Sequence, residues 1–144
     1  MLSVPVIQLD VDLALPSYAR LGDAGADLVA REDAVIEPGG GRALIPTGIA
    51  LAIPDGYAGF VQPRSGLALK HGVTVLNSPG LIDSGYRDEL KVILINTDPD
   101  NPHAISRGER IAQLVIQRVE RVEFTPVDAL PPSDRKGGLG HTGS

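Results

Sequence analysis

The chain has no cysteine and no tryptophan, and its 144 residues include only three Tyr and two Phe. Without cysteine there can be no disulfide framework, no thiolate zinc site and no cysteine nucleophile. With so few rings, the core must be built from Val, Ile, Leu and Ala, and a hydrophobic content of 42% supplies enough of them. Positive charge is also scarce: 13 Lys and Arg face 18 Asp and Glu, a net charge of −5. A polynucleotide binder needs a basic face to displace counterions from phosphate, so that class is excluded. No apolar run approaches the ~20 residues that cross a bilayer. Met1–Asp10 also lacks a basic stretch followed by an apolar one, the mark of an export signal. The expectation is one cytoplasmic domain with neither a nucleic-acid polymer nor a membrane as partner.

Proline and glycine are plentiful instead, at 12 and 17 residues, too many for long helices. Between them lie short alternating apolar runs. Val4–Asp10, Ala34–Glu37, Ala43–Ile45, Ile49–Ile53, Gly59–Gln62, Val73–Leu76 and Leu90–Asn96 read as strands. Ile111–Phe124 is longer, and its phase slips between Ile116 and Val119, which predicts a bulge or two strands end to end. Only Ser65–Gly72 suggests a helix, with Ser65 as N-cap and a terminal glycine. This pattern predicts an all-β fold, a jelly-roll-like β-sandwich or distorted barrel with one short helix. The β domain would span residues 1–130. Residues 131–144, Gly-rich with little to bury, would form a flexible arm.

Four segments are polar where a structural β protein would not need to be. Gly22–Leu28 offers small residues around Asp27, placed just before an expected strand. Pro63–Ala68 sits at a strand-to-helix junction, where unpaired amides, the Arg64 fork, the Ser65 hydroxyl and the bare backbone of Gly66 suit phosphate oxygens. Asn77–Arg87 is the densest, with Pro79-Gly80 as a turn that predicts Asn77 and Asp83 on facing arms of a hairpin. Such a hairpin could read a base edge, polarise a water and stack Tyr86 on a sugar. Gly108–Gln113 places Gln113 among apolar neighbours, where a buried amide needs partners. His71, His103 and His141 show no metal-ligand spacing.

In order and over nearly the whole chain, these segments resemble the five motifs of the trimeric dUTP pyrophosphatase (dUTPase) family. Asp23–Leu28 resembles the first, Pro63–Ala68 the second, Asn77–Tyr86 the third, Gly108–Gln113 the fourth and Arg135–Gly143 the fifth. The resemblance implies a homotrimer with active sites shared among chains. It also implies Mg²⁺-dependent hydrolysis of dUTP to dUMP and pyrophosphate, which lowers dUTP and supplies dUMP for dTMP synthesis. By motif match, Asp83 would activate the attacking water, and Arg64, Ser65, Gly66 and Gln113 would hold phosphate oxygens. Asn77, Leu81 and Ile82 would line the uracil pocket, Tyr86 would stack on the deoxyribose, and Lys91 would lie against the nucleotide. Asp27 would reach the metal through water. In the fifth motif a single spacer, Lys136, separates Arg135 from Gly137-Gly138, and Leu139 stands where the family carries an aromatic. Arg135, Leu139 and His141 are then the residues expected to cover the substrate.

Two other readings compete. The related dCTP deaminases need a catalytic Glu in the strand after the third motif, and Lys91–Asn96 offers none. A non-catalytic nucleotide-binding trimer draws its support from the altered fifth motif, although Asp83 is present.

Overall fold

The computed structural model describes residues 1–138. In chain order it contains β1 (Val6–Gln8), β2 (Ala26–Val29), β3 (Ala34–Ile36), β4 (Gly41–Pro46), β5 (Ile49–Leu51) and β6 (Tyr57–Pro63). There follow α1 (Ser65–His71), β7 (Val73–Val75), β8 (Gly80–Ile82), β9 (Lys91–Asn96), β10 (His103–Ile105) and β11 (Arg110–Arg118). Two sheets carry the body, one ordered β2-β11-β6-β8 and the other β4-β9-β7; β1-β5 and β10-β3 are two-stranded additions. Every pairing is antiparallel.

The core forms where the inner faces of the two larger sheets meet. Leu28, Val61, Ala112 and Leu114 come from the first sheet, and Ile45, Val73, Val92 and Leu94 from the second. Along β9, Val92, Leu94 and Asn96 are buried while Lys91, Ile93 and Ile95 are not, the period-2 alternation of a half-buried strand. Asn96 is the polar exception and is fully paired: its amide donates to Ile36 O and Asn101 O and accepts from Asp98 N. That is the condition for burying an amide without penalty. No Phe, Tyr or Trp is among the buried core residues, which are aliphatic as the composition implied.

The fold class is as expected, but five details differ. Ser65 is the first helical residue rather than the cap. Arg64 occupies the cap position with extended backbone and makes no capping bond with its side chain. The helix does end at Gly72, whose left-handed φ of 64° lets its N–H return to Ala68 O and Leu67 O. The long C-terminal strand stops at Arg118, opposite Tyr57 at the start of β6, and one further bond, Val119 N–H to Gly56 O at 3.0 Å, closes the ladder. Its register shift lies at Arg110/Ala112 against β2, not between Ile116 and Val119. Asn77 and Asp83 are not on facing arms of a hairpin: β7 pairs with β9 and β8 with β6, so the chain crosses between sheets through the Ser78–Pro79 turn. Finally, Asp27 lies inside a strand, since Ser17 and the edge of β11 give Ala26–Val29 partners on both sides.

Candidate active site

Strand register builds the first group of site residues. Across β2 and β11, Asp27 stands opposite Gln113, and across β11 and β6 Gln113 stands opposite Gln62. Directly opposed residues of antiparallel strands share a face. The neighbours Ala112 and Leu114 point into the core, so Asp27, Gln113 and Gln62 form a polar row on the other face. Gln113 Nε2 donates to Asp27 Oδ1 at 3.5 Å, and Arg110 Nη1 reaches Asp27 Oδ2 at 3.4 Å. The Asp27 carboxylate is thereby enclosed, with its side chain only 12% exposed. Gly25 belongs to this arrangement for a steric reason. A Cβ there would stand 3.0 Å from Gln113 Cβ, so a larger residue would push the amide off the row.

Arg64 enters the same group from the end of β6, where its Nη1 donates to Arg110 O at 3.0 Å. Ser65 and Gly66 follow in the first turn of α1, both exposed, with open space around Gly66. Since Ser65 does no capping, its hydroxyl is free to donate outward. Asp27, Arg64, Ser65, Gly66 and Gln113 are therefore brought together: one carboxylate among cationic and amide donors at an open helix start. Such a surface suits an anion carrying a divalent cation.

The second group lies elsewhere on the chain. Leu81 and Ile82 sit in β8 opposite Phe60 and Gly59, and Asp83 follows at its end, exposed. Gly59 is five residues from Arg64, about 17 Å of extended chain, so Asp83 does not meet the Arg64 group within one chain. Asn77 is exposed in the turn before β8. Tyr86 closes a turn by donating its N–H to Asp83 O at 3.1 Å, and its hydroxyl donates to Glu89 O at 2.9 Å. Lys91 opens β9 and lines a polar cavity of about 360 Å³ with Asp10, Arg31, Glu32 and Glu89. Arg135 is exposed and joins neither group; its backbone N–H donates to Ser133 Oγ at 3.2 Å. Leu139 and His141 lie outside the described residues.

Sequence reasoning missed Arg110, although an Arg three residues before Gln113 in the fourth polar segment was a usable signal. It also missed the ion network beside Lys91. There Arg107 grips Asp10 through both carboxylate oxygens, and Arg31 bridges Asp10 and Glu89 at 3.5 and 3.0 Å. The side-chain bond from Arg107 chiefly holds the Asp10 carboxyl down at about 2, with Arg31 also contributing.

The comparisons with known proteins can be set against this geometry. Residues 12–143 match the dUTPase family. The chain belongs to that family. It is 61% identical over 141 residues to the deoxyuridine 5'-triphosphate nucleotidohydrolase of Thermobifida fusca (strain YX), covering 97% of this chain and 78% of that one. It is 51% identical to the enzyme of the same name from Cutibacterium acnes, covering 99% and 94%. Among solved structures, a point mutant of the Staphylococcus bacteriophage 80alpha dUTPase with dUpNHpp superposes with a TM-score of 0.90 at 28% identity, over 99% of both chains. A mutant dUTPase from phage phi11 of S. aureus, described with a structural Mg(II) ion, gives 0.81 at 26% identity, over 88% of this chain and 97% of that one. The fold is thus that of dUTPases.

Proposed function

We propose that this chain hydrolyses dUTP to dUMP and pyrophosphate as a cytoplasmic homotrimer. The observation that carries the reading is the Asp27–Gln113–Arg64 group at the open start of α1, in a chain of the dUTPase family. Phosphoryl transfer asks mainly for positioning and neutralisation of charge. Arg64, Ser65, Gly66 and Gln113 hold phosphate oxygens, each charge-assisted bond contributing roughly 1.5–3 kcal/mol. Asp83 orients a water in line with the α-phosphorus and takes its proton. The new P–O bond forms as the bond to the leaving pyrophosphate breaks. Asn77 and the Leu81–Ile82 backbone receive the uracil, Tyr86 backs the deoxyribose and Lys91 lies against the nucleotide.

Mg²⁺ fits this site in a particular way. Among the described residues no three His, Asp or Glu side chains gather into a metal cage. Mg²⁺ keeps several waters and takes phosphate oxygens with one or two carboxylates, so Asp27 would hold it through water and the substrate would supply the rest. When bound, the ion neutralises charge on the triphosphate. The distance between Asp83 and Arg64 supports sites shared between copies, because one chain does not present both groups to a single nucleotide. Exposed Val122, Phe124, Val127 and Leu130 beyond β11 support the same assembly, being apolar and without a core of their own. Residues 131–144 act as the arm that closes over the substrate, with Arg135, Leu139 and His141 as its covering residues. Pyrophosphate release from dUTP, UTP, dTTP and dCTP, with and without Mg²⁺, tests the reading. The expected result is turnover of dUTP alone, dependent on the metal; equal turnover of dTTP would overturn it.

A further inference from the structure

A wall excludes an atom only if it cannot swing away. Tyr86 is 38% exposed, so packing alone does not fix its ring, and its hydroxyl is tied at the tip to Glu89 O. Glu89 is itself gripped from the opposite side. Its Oε1 accepts from Gly48 N at 2.9 Å and Arg31 Nη1 at 3.0 Å, and its side chain is only 17% exposed. Arg31 is anchored in turn, donating to Leu9 O at 3.2 Å and meeting the Asp10 carboxylate that Arg107 holds. Glu89 thus fastens its carboxylate to the scaffold and its carbonyl to the tyrosine.

An ion network that only added stability would not need this arrangement. The Glu89 carboxylate is half-buried and also accepts a backbone N–H, so it fixes geometry as well as charge. Without the grip on Glu89, the loop from Asp83 would be held by its own turn bonds, Tyr86 N to Asp83 O and Arg87 Nη1 to Ser84 O. Those bonds shape the turn, while the Leu90 N–H, donating to Ile49 O at 2.8 Å, ties the far side of the Glu89 peptide to the sheet and leaves the Glu89 Cα to its side-chain grip.

We propose that Glu89 is a positioning residue for sugar selectivity: its clamped carboxylate, together with the Leu90 bond to Ile49, holds its carbonyl, the carbonyl fixes the Tyr86 hydroxyl, and the ring stands firm against a ribose 2′-hydroxyl. The proposal rests on the reading of Tyr86 as the deoxyribose platform. Its test is the ratio of kcat/KM for dUTP over UTP in the full chain, for Glu89→Gln, Tyr86→Phe, their double variant and Tyr86→Ala. Tyr86→Phe keeps the ring and loses the tether, which lowers the ratio about fivefold, the value of one neutral hydrogen bond. Glu89→Gln lowers it in the same direction, through faster UTP turnover and with kcat for dUTP nearly kept. The double variant matches Tyr86→Phe alone, because Glu89 acts through that hydroxyl. Ile105→Val, a core change that lowers Tm, leaves the ratio unchanged and separates selectivity from stability. Arg31→Lys repeats the Glu89→Gln effect more weakly and serves if the latter does not fold. A wild-type ratio in Glu89→Gln or Arg31→Lys, or additive effects in the double variant, overturns the proposal. An unchanged ratio in Tyr86→Ala overturns the platform reading itself.

Discussion

The two halves of the site are built on different principles. Asp27 and Gln113 are 86 positions apart, yet strand register places them side by side, and Arg64 joins them through a bond to Arg110 O. The half around Asp83 is one stretch of chain, residues 77–91, that leaves the sheet after Ile82 and returns at Leu90, with Asp83 and Tyr86 on the turn between, fastened at Glu89. Geometry inherited from a sheet survives the loss of any one side chain, because the backbone ladder still holds the others. Geometry built by a loop depends on its few fastenings. Damage to the first half should therefore be graded, and damage to the second abrupt.

The abrupt case is Asp83→Asn. Loss of the proposed base should cut pyrophosphate release about 10²–10⁴-fold while calorimetry still detects bound dUTP. Normal turnover would remove Asp83 from the chemistry. Arg64→Ala is the graded case: loss of one charge-assisted contact should raise KM roughly tenfold to a hundredfold, with Asp83 and Gln113 still in place. The two variants also test whether the halves meet across copies. Unfolded together and refolded as a mixture, Asp83→Asn and Arg64→Ala chains should form some sites with both Asp83 and Arg64 intact, and so exceed the kcat/KM of either variant alone. A mixture no more active than its two components would place the whole site in one chain.

The smallest effect concerns the scaffold beneath the loop. The Asp10 carboxyl is lowered from 3.8 to about 2 by its bonds to Arg107, so the folded state binds its proton less readily than the unfolded chain. Its contribution to stability is present above the unfolded value and is lost as pH falls through the folded one. Denaturant midpoints measured from pH 4 down to pH 2 should fall less steeply in Asp10→Asn than in the wild type. Matching slopes would detach Asp10 from the network.

Much of this fold could be read from alternation alone. The strands β4, β6 and β9 announce themselves by period, and Gly72 ends the helix where its αL geometry is needed. What escaped was decided by partners rather than by local pattern. β2 and β10 are four and three residues long, and Asp27 interrupts the apolar run of β2. The Pro79-Gly80 turn looked like a hairpin because sequence shows where a chain bends but not which sheet it enters afterwards. Asp83, Arg64 and Gln113 were legible as unusual residues in polar segments, whereas their distribution over two separated groups was not. Glu89 was invisible for a related reason: an ion pair between segments 58 positions apart has no period.

β11 has a consequence in time. It is the last strand in the chain among the described residues, yet it lies between β2 and β6 in the middle of its sheet. While a ribosome is still making the chain, those two strands wait with open edges, the condition in which strands find wrong neighbours. Asp27 and Gln62 acquire their common row only when Gln113 arrives between them. A chain without β11 has no Gln113 beside Asp27, and the arrival of the keystone strand is the moment at which that row begins to exist.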